Sequence, residues 1–356
     1  MNKFQRTRRS LLALGGLAAA VPRIAWGQAE PAKPAQIVVN DSGGDMQNAM
    51  RTAFYSEYEK RYGIKVVSTS PVDLGKLRAM VQSGNVEWQV TEIDGESAML
   101  AEKSGLLEPL DLKIVDLSQF PKHLQNRKFV FPKGVYSTVM GYRTDVFPEG
   151  KRPQSWADFW DVQKFPGPRS MRNDPTDNLE FALLADGVAL DKIYPIDVDR
   201  AFKKMDQIKK HVSVWWTTGG QSAQVLVDKE AVIGTAWNGR YYSAIKQGAP
   251  IAIEWNQGAI KESCFGIPKG AKDVYWAQKM LAIIAEPKPQ GVYANIIGYP
   301  GLNLEAIKYT DPKLQPYLPT NPAYLPKQFW TSVEWQAENA PKVKERWAKW
   351  MLEKAS

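Results

Sequence analysis

Acidic side chains stand at two predicted strand ends and at one predicted helix start, where a ligand could meet their carboxylates. Desolvating several carboxylates together is costly without a cation, so the set as a whole favours cation binding. Each acid alone also suits a turn or a helix cap, and both interpretations stay open here. The residues concerned, with one neighbouring hydroxyl, are Asp41, Ser42, Asp94, Glu96, Asp174 and Asp177.

Short apolar runs alternate with helical patterns along the chain, which predicts stacked βαβ units and largely parallel sheets. Residues 37–40 predict a first strand, followed by a helix with Asp45 as its N-cap that ends at Gly63. Residues 88–93 predict another strand, followed by a helix over 96–104. The loops after these strands lie at one edge of the sheet, which is where open α/β sheets bind ligands.

A second block of strands and helices begins after residues 136–142 and predicts a second lobe, with a cleft between the two. One of its helices is predicted over 175–185. The spacing of three between Asp174 and Asp177 points both acids to the same side of the first turn of that helix. With Pro175 between them, the two acids also fit an N-cap and an N3 position.

Trp237 ends a strand predicted over 231–237, and Arg240 follows three residues later. An aromatic ring at that strand end aims into the cleft or packs in a core. The guanidinium could hold a carboxylate, or it could be solvated or form an ion pair between the lobes. Trp215 and Trp216 are neighbours on another predicted strand, so only one of the two can face the cleft.

The chain offers few residues for catalysis or metal binding. It has two histidines, His123 and His211, in no metal-binding spacing, and a single cysteine, Cys264. No glycine-rich nucleotide fingerprint follows a predicted strand. We therefore predict no enzymatic activity, no cofactor and no metal. An exported enzyme, or a metal-ion-binding protein that uses the acids, is the competing class.

The N-terminal segment predicts export from the cytoplasm. A basic start, an almost wholly apolar run over 11–21 and small residues before a cleavage site predict a signal peptide over residues 1–27. Arg8 and Arg9, followed by paired leucines, resemble a twin-arginine signal, and an ordinary secretory signal is the alternative. The apolar run is too short to span a bilayer, which takes roughly 20 apolar residues.

The net charge of the chain falls when the predicted signal is removed. The whole sequence has 46 basic and 38 acidic residues, a formal net charge of +8. The signal holds five of the basic residues and no acidic one, so 41 basic residues and a charge of +3 are left. The remaining charges are interspersed rather than striped, so we predict no nucleic-acid partner. A mature chain of about 330 residues suits two lobes with separate cores.

Six short segments stand out along the chain, namely GLLEPLD at 105–111, SWADFW at 155–160, ALLADG at 182–187, AWNGR at 236–240, IPKG at 267–270 and GYPGLN at 298–303. In their order and spacing they resemble the polyamine-type (spermidine/putrescine) periplasmic binding proteins of ABC importers. The resemblance covers nearly the whole mature chain. It implies a two-lobed α/β fold of the type II periplasmic binding-protein class. It also implies a monomeric protein of the periplasm that delivers a small molecule to an ABC permease.

The same resemblance implies that the chain crosses a hinge between the lobes more than once. We place crossings near residues 140 and 265, and a further one after about residue 310. Lobe 1 is then predicted to consist of residues 36–140 plus 265–310. Lobe 2 is predicted to consist of residues 141–264 plus 311–356.

The resemblance also implies roles for three of the candidate site residues. Asp174 and Asp177 fall where the family places two acids that meet one end of an amine. Trp237 falls where the family has a tryptophan that stacks along the ligand. Carboxylates and aromatic rings are the groups that ammonium ligands require. We therefore predict capture of a small, cationic, polyamine-like amine.

Several departures from the family pattern leave the ligand open. After the first strand, Asp41 and Ser42 stand where the family has an aromatic residue. After the strand that ends at residue 93, Asp94 and Glu96 stand where the family has a hydroxyl and an aromatic residue. Near Ser263, the family's tryptophan and aspartate are missing. A zwitterionic amino acid or a derivative, with its carboxylate at Arg240 or at a helix N-terminus, is therefore the alternative ligand. The complete predicted ligand-binding set is Asp41, Ser42, Asp94, Glu96, Asp174, Asp177, Trp237, Arg240 and Ser263.

Overall fold

The computed structural model describes residues 30–353, so the predicted signal peptide lies outside the described residues. Strands and helices alternate along most of this range. The strands of this range are β1 (Gln36–Asn40), β2 (Lys65–Thr69), β3 (Val90–Asp94), β4 (Val130–Arg143), β5 (Arg169–Arg172), β6 (Val212–Trp216), β7 (Ile233–Trp237), β8 (Ile251–Gly266) and β9 (Phe329–Trp330). The α-helices of the same range are α1 (Gly44–Met50), α2 (Ser56–Tyr62), α3 (Leu74–Ser83), α4 (Gly95–Lys103), α5 (Trp156–Trp160), α6 (Asn178–Ala185), α7 (Val198–Lys209), α8 (Gly219–Val227), α9 (Asn238–Lys246), α10 (Val274–Ala285), α11 (Pro287–Ile297) and α12 (Val333–Leu352).

These strands form one sheet in the order β2-β1-β3-β8-β4-β7-β5-β6, with β9 paired to β8. At one end β2, β1 and β3 are parallel, and at the other end β7, β5 and β6 are parallel. Between the two parallel groups lie the long strands β4 and β8, which pair antiparallel with each other and with β7 and β3 respectively. The α/β class predicted from the alternating pattern is confirmed.

Local hydrogen bonds and backbone conformation set the ends of helices α2 and α4, which connect to the parallel strands β1, β2 and β3. The carboxylate of Asp94 accepts the backbone N–H of Ser97 at 2.9 Å and so caps α4. Side-chain capping of this kind stabilises a helix start by about 1 kcal/mol. At the end of α2, Gly63 adopts a left-handed conformation with φ 70°, as the sequence predicts.

The predicted N-cap at Asp45 is wrong. Gly43 holds that position with φ 72°, and α1 begins one residue later at Gly44. The physical reason is the carboxylate of Asp41, which accepts the backbone N–H of Gly43 at 3.0 Å and turns the chain before the helix starts. Glycine tolerates this positive φ because it has no Cβ.

The two largest hydrophobic clusters of the described residues, which we call the first and the second core, lie at the two ends of the sheet, and the long strand β4 contributes to both. Phe131 and Val135 of this strand are buried in the first core, with the helices around Trp276. Met140 and Tyr142, further along the same strand, are buried in the second core. The crossing near residue 140 and the lobe boundaries stay a prediction, which this change of core along β4 supports. No helix within residues 30–353 is both long and apolar enough to cross a membrane.

Candidate functional site

Two adjoining cavities lie where the carboxyl ends of the parallel strands face each other. The first, which we call the aromatic cavity, has a volume of about 200 Å³ and includes Tyr293, Tyr299 and Arg240 in its wall. The second, the charged cavity, has a volume of about 310 Å³. Its charged wall residues are Asp94, Glu96, Arg172, Asp174, Lys261, Glu262 and Lys344. We call the two together the cleft, because Asp94, Tyr136 and Trp237 line both cavities.

Trp237 stands at the end of β7 and lies in the wall shared by the two cavities. Its ring meets Tyr136 edge-on at 5.9 Å between centroids and Trp216 at 5.8 Å. The indole Nε1 is buried and has no hydrogen-bond partner among residues 30–353. A buried N–H without an acceptor costs about 1 to 3 kcal/mol. The indole N–H is therefore an unused donor beside the cleft.

Arg240 lies in the first turn of α9 and lines the aromatic cavity. Its Nε is buried and, within the described part of the chain, also lacks a hydrogen-bond partner. No carboxylate of that part lies within ion-pair distance of its guanidinium. A guanidinium that has no ion pair can receive a carboxylate.

Arg172 is a cleft residue that the sequence did not single out. It stands at the carboxyl end of β5 and its guanidinium lies 5.7 Å from the centroid of the Trp237 ring. It lines the charged cavity and has no ion pair to any described residue. Its position could have been inferred, because ligand contacts concentrate at the carboxyl ends of parallel strands.

Asp94 and Glu96 begin α4 and both line the charged cavity. Asp94 caps the helix through Ser97 and is exposed at the same time, so the cap and the cleft positions are compatible. Burial raises the pKa of Glu96, and Lys344, at 4.0 Å from its carboxylate, opposes that rise. Asp94 has no ion pair to another described residue.

Asp41 is not brought to either cavity. It is fully buried, and its carboxylate accepts hydrogen bonds at 3.0 Å from the Gly43 backbone, the Gln47 amide and the Tyr55 hydroxyl. Burial raises the pKa of Asp41, while the hydrogen bonds from Gly43 and Tyr55 act in the opposite direction. The carboxylate therefore serves the turn before α1 rather than a ligand.

Ser42 and Ser263 line the aromatic cavity, but both are bonded to a carboxylate that the sequence did not single out. Ser42 donates its N–H to Glu92 at 2.9 Å and its hydroxyl at 2.6 Å, and the Ser263 hydroxyl donates at 3.2 Å. Glu92 forms a buried ion pair with Lys133. Burial opposes ionisation of Glu92, but Lys133 and Ser42 outweigh it and hold the pKa of Glu92 below its usual value. A charged residue inside an apolar strand is the sequence signal for such a pair.

Asp174 and Asp177 do not act as the pair that the sequence predicts. Helix α6 begins only at Asn178, so the predicted N-cap and N3 positions are wrong. The carboxylate of Asp174 accepts the N–H of Thr176 at 2.9 Å and faces the charged cavity. Asp177 has φ 72° and is 1% exposed, and this left-handed backbone turns its side chain inward.

Asp177 is held by two residues of the long strands. Its Oδ2 accepts a hydrogen bond from the Thr138 hydroxyl at 2.7 Å and from the ammonium of Lys261. Its Oδ1 is buried and has no partner among the described residues. The carboxylate is therefore neutralised from within the protein, and Lys261 rather than Asp177 lines the charged cavity.

The remaining aromatic and metal candidates lie outside the cleft. Trp216 is fully buried and donates its indole N–H to Thr235 at 3.2 Å, and Trp215 packs against Trp347 and Trp350, so neither lines the two cavities. Residues 30–353 contain no group of three or more His, Cys, Asp or Glu side chains that could hold a metal ion. The absence of a metal and of a cofactor stays a prediction.

A family model described as bacterial extracellular solute-binding protein matches residues 53–333. Among curated proteins, the gamma-aminobutyric acid-binding protein of Pseudomonas aeruginosa is 32% identical over 334 residues, which cover 92% of this chain and 94% of that protein. The spermidine/putrescine-binding periplasmic protein of Escherichia coli is 25% identical over 222 residues, or 60% of this chain and 62% of that protein. The polyamine binders are thus the more distant of these relatives.

Two solved structures cover almost the same range. The Atu4243-GABA receptor superposes with a TM-score of 0.83 at 34% identity, over 90% of this chain and 99% of that chain. An ABC transporter substrate-binding protein from Bradyrhizobium japonicum superposes with a TM-score of 0.83 at 37% identity, over 89% and 100%. These relatives are named as binding proteins and receptors rather than enzymes. This chain therefore belongs to the bacterial extracellular solute-binding proteins of ABC transporters and has their two-lobed type II fold.

Proposed function

We propose that this protein captures a small zwitterionic amino acid, or a close derivative, and delivers it to an ABC permease. The observation that carries the proposal is that one cleft presents unpaired charges of both signs. Arg172 and Arg240 are free of ion pairs to described residues, and so is Asp94. A polyamine would need carboxylates alone, whereas a zwitterion needs one group of each sign.

The carboxylate end of the ligand belongs at Arg240. Two buried donors, the Nε of Arg240 and the Nε1 of Trp237, have no acceptor in the described range, and a ligand carboxylate would supply one. Arg172, over the ring of Trp237, adds a second positive charge to this region. Guanidinium groups recognise carboxylates with two parallel hydrogen bonds, which gives orientation as well as affinity.

The ammonium end belongs at Asp94, with Tyr136 as an aromatic wall. Both residues line both cavities, so they border the region of the two arginines. An ammonium group gains from a carboxylate and from the face of an aromatic ring. Relatives that are named for gamma-aminobutyric acid, at 32% and 34% identity, support a ligand in which a short methylene chain separates the two charges.

A panel of four related compounds tests this proposal by calorimetry. Gamma-aminobutyric acid has both charges, butylamine lacks the carboxylate, butyric acid lacks the ammonium group, and putrescine has two ammonium groups. We expect gamma-aminobutyric acid to bind at least about 100-fold more tightly than each of the others, a difference of about 2.7 kcal/mol. Equal affinity for putrescine would overturn the proposal and restore a polyamine site.

Arg240→Met tests the placement of the carboxylate. Removing one partner of a desolvated charge pair weakens binding by about 2 to 5 kcal/mol. We expect that loss for gamma-aminobutyric acid and little change for butylamine, which has no carboxylate. Arg200→Met is the matched control, because Arg200 is exposed and pairs with Asp186 away from the cleft. An equal loss for butylamine would show that Arg240 supports the fold rather than the ligand.

We also propose export to the periplasm through the predicted twin-arginine signal, with a mature N-terminus at about residue 28. Replacing Arg8 and Arg9 by lysine should then stop export, because the twin-arginine export machinery recognises the arginine pair. Cell fractionation and intact-mass measurement check both points. An exported protein that still carries residues 1–20 would contradict the proposed cleavage site.

A further inference from the structure

We propose that Lys261 is a tethered ammonium group that fills a cation site on Asp177 and so makes the cleft reject ligands with a second ammonium group. The selectivity part rests on the proposed function, whereas the occupied cation site does not. The structure places this lysine at the wall of the charged cavity, where Glu262 and Ser263 of the same strand also lie close to the cleft.

The surroundings of the Lys261 ammonium are those that a ligand ammonium would need. It donates hydrogen bonds to the Asp177 carboxylate and, at 2.8 Å, to the hydroxyl of Thr138. It also lies 5.3 Å from the centroid of the Tyr136 ring. A carboxylate, a hydroxyl and an aromatic face together form a complete ammonium site. The protein thus fills this site with its own side chain.

The positions of the two side chains put the lysine between the carboxylate and the cavity. The side chain of Lys261 is 11% exposed and lines the charged cavity, whereas that of Asp177 is 2% exposed and lines neither cavity. A ligand in the cleft therefore meets the ammonium rather than the carboxylate. Arg172 lines the same cavity, so a second ligand ammonium would meet two positive charges.

The remaining electrostatics fit a site that requires a cation. Asp177 is buried beside Glu180, and neither Asp177 Oδ1 nor Glu180 Oε2 has a partner in the described residues. Burial lowers the pKa of Lys261, while Asp177 opposes that effect. Removing the lysine leaves a buried carboxylate without compensation, which strongly destabilises a protein. An external ammonium of matching size could then take its place.

Chemical rescue of Lys261→Ala tests the cation site without any assumption about the natural ligand. The atoms removed correspond to propylammonium. We expect Lys261→Ala to melt at a lower temperature than the parent protein, and propylammonium chloride to restore at least half of the difference. Propanol, which is neutral, and tetramethylammonium, which is too large, should not restore it. Lys344→Ala is the matched control, because Lys344 lines the same cavity but is 47% exposed. It should show no rescue.

A double variant keeps the test decisive if Lys261→Ala does not fold. Asp177→Asn combined with Lys261→Ala removes both charges and should fold without propylammonium and be insensitive to it. Lys261→Ala alone should then fold only when propylammonium is added. A single variant that is as stable as the parent, or that stays unfolded at every propylammonium concentration, overturns the proposal.

Lys261→Met tests selectivity, because it removes the charge and keeps the length of the side chain. We expect the affinity for putrescine to rise at least tenfold in this variant, and to show no rise when Asp177→Asn is added. If Lys261→Met and the double variant both bind putrescine with the affinity of the parent protein, the selectivity part is overturned. If the parent protein does not bind gamma-aminobutyric acid, the proposed function fails, yet the propylammonium rescue still decides the cation site. If propylammonium does not rescue Lys261→Ala while the parent protein binds gamma-aminobutyric acid, only the inference about Lys261 is refuted.

Discussion

Buried charges in this protein divide into those with a partner and those without. Glu92 is paired with Lys133, and Asp177 with Lys261, so these carboxylates are compensated inside the fold. Glu180 differs, because it is fully buried and its carboxylate meets only neutral donors, the Tyr194 hydroxyl at 2.8 Å and the Gln336 amide at 2.9 Å. A buried carboxylate in such surroundings favours its neutral form. Glu180 is therefore a residue through which pH should act on stability.

The first prediction at the residue scale concerns the pH dependence of unfolding. Burial and the nearby Asp177 raise the pKa of Glu180 from 4.5 to about 7. The folded protein therefore binds more protons than the unfolded chain between these values, and the stability from Glu180 is present below pH 4.5 and lost as pH rises through 7. Between pH 5 and pH 8 the free energy of unfolding should therefore fall by on the order of 2 kcal/mol.

Glu180→Gln isolates this effect. The amide can keep bonds to Tyr194 and Gln336 but cannot ionise, so the variant should lose less free energy of unfolding between pH 5 and pH 8 than the parent. At pH 8 it should be the more stable of the two proteins. Urea unfolding at both pH values gives the measurement. Identical pH slopes in the two proteins would show that Glu180 does not titrate in this range.

At the scale of single elements, the first turn of α8 packs directly against the site. A Cβ added at Gly219 would lie 2.6 Å from Trp237 Cζ3 and 3.0 Å from Arg240 Nε. No non-hydrogen atom lies within 4 Å of a Cβ added at Gly220, the next residue. The absence of a side chain at Gly219 therefore lets the helix support the two site residues at contact distance.

The adjacent glycines give a matched pair of substitutions. Gly219→Ala should displace Trp237 and Arg240 and weaken binding of gamma-aminobutyric acid at least tenfold, at a cost in stability of about 1 to 3 kcal/mol. Gly220→Ala should leave affinity unchanged and stabilise the helix by up to about 1 kcal/mol. Calorimetry and urea unfolding measure the two quantities. Equal effects of both substitutions would refute the role given to Gly219.

On the scale of the whole molecule, α12 connects the two ends of the sheet. Its residues Val343, Trp347 and Trp350 are buried in the second core. Near the start of α12, the Cγ1 of Val333 lies 3.0 Å from the position that a Cβ added at Gly95, the first residue of α4, would occupy. Helix α12 thus contacts the helix that follows β3 and lies beside the charged cavity. The predicted boundaries put α4 in lobe 1 and α12 in lobe 2, so we expect movement of one lobe against the other to change this contact.

We predict that ligand binding closes the proposed lobes about the crossings near residues 140 and 265. Closure buries the ligand, and binding to the folded form alone raises the melting temperature by mass action. Small-angle scattering should show a smaller radius of gyration with saturating gamma-aminobutyric acid than without it. Butyric acid at the same concentration is the control. A radius unchanged by a ligand that raises the melting temperature would contradict hinge closure.

The sequence by itself determined those features that depend only on residues close together in the chain. Alternating apolar runs and helical patterns gave the α/β class, and Gly63 marked the end of α2 because a left-handed cap is a local property. The predicted strand end at Trp237 is the end of β7, and this residue lines the aromatic cavity. The short segments in their order also indicated a solute-binding protein, which the family model bears out, but the relative with the higher identity is named for gamma-aminobutyric acid and not for a polyamine.

Only the tertiary structure decided which charges are available to a ligand. Asp41 and Asp174 both stand in acid-rich turns, yet the first is satisfied internally and the second faces the charged cavity. Asp177 is neutralised by Lys261, a residue 84 positions away in the chain. Asp177 lies between β5 and α6 and Lys261 lies on β8, so these two residues meet only when the whole chain has folded. Sequence patterns report local preference, whereas the partner of a buried charge is a property of the complete fold.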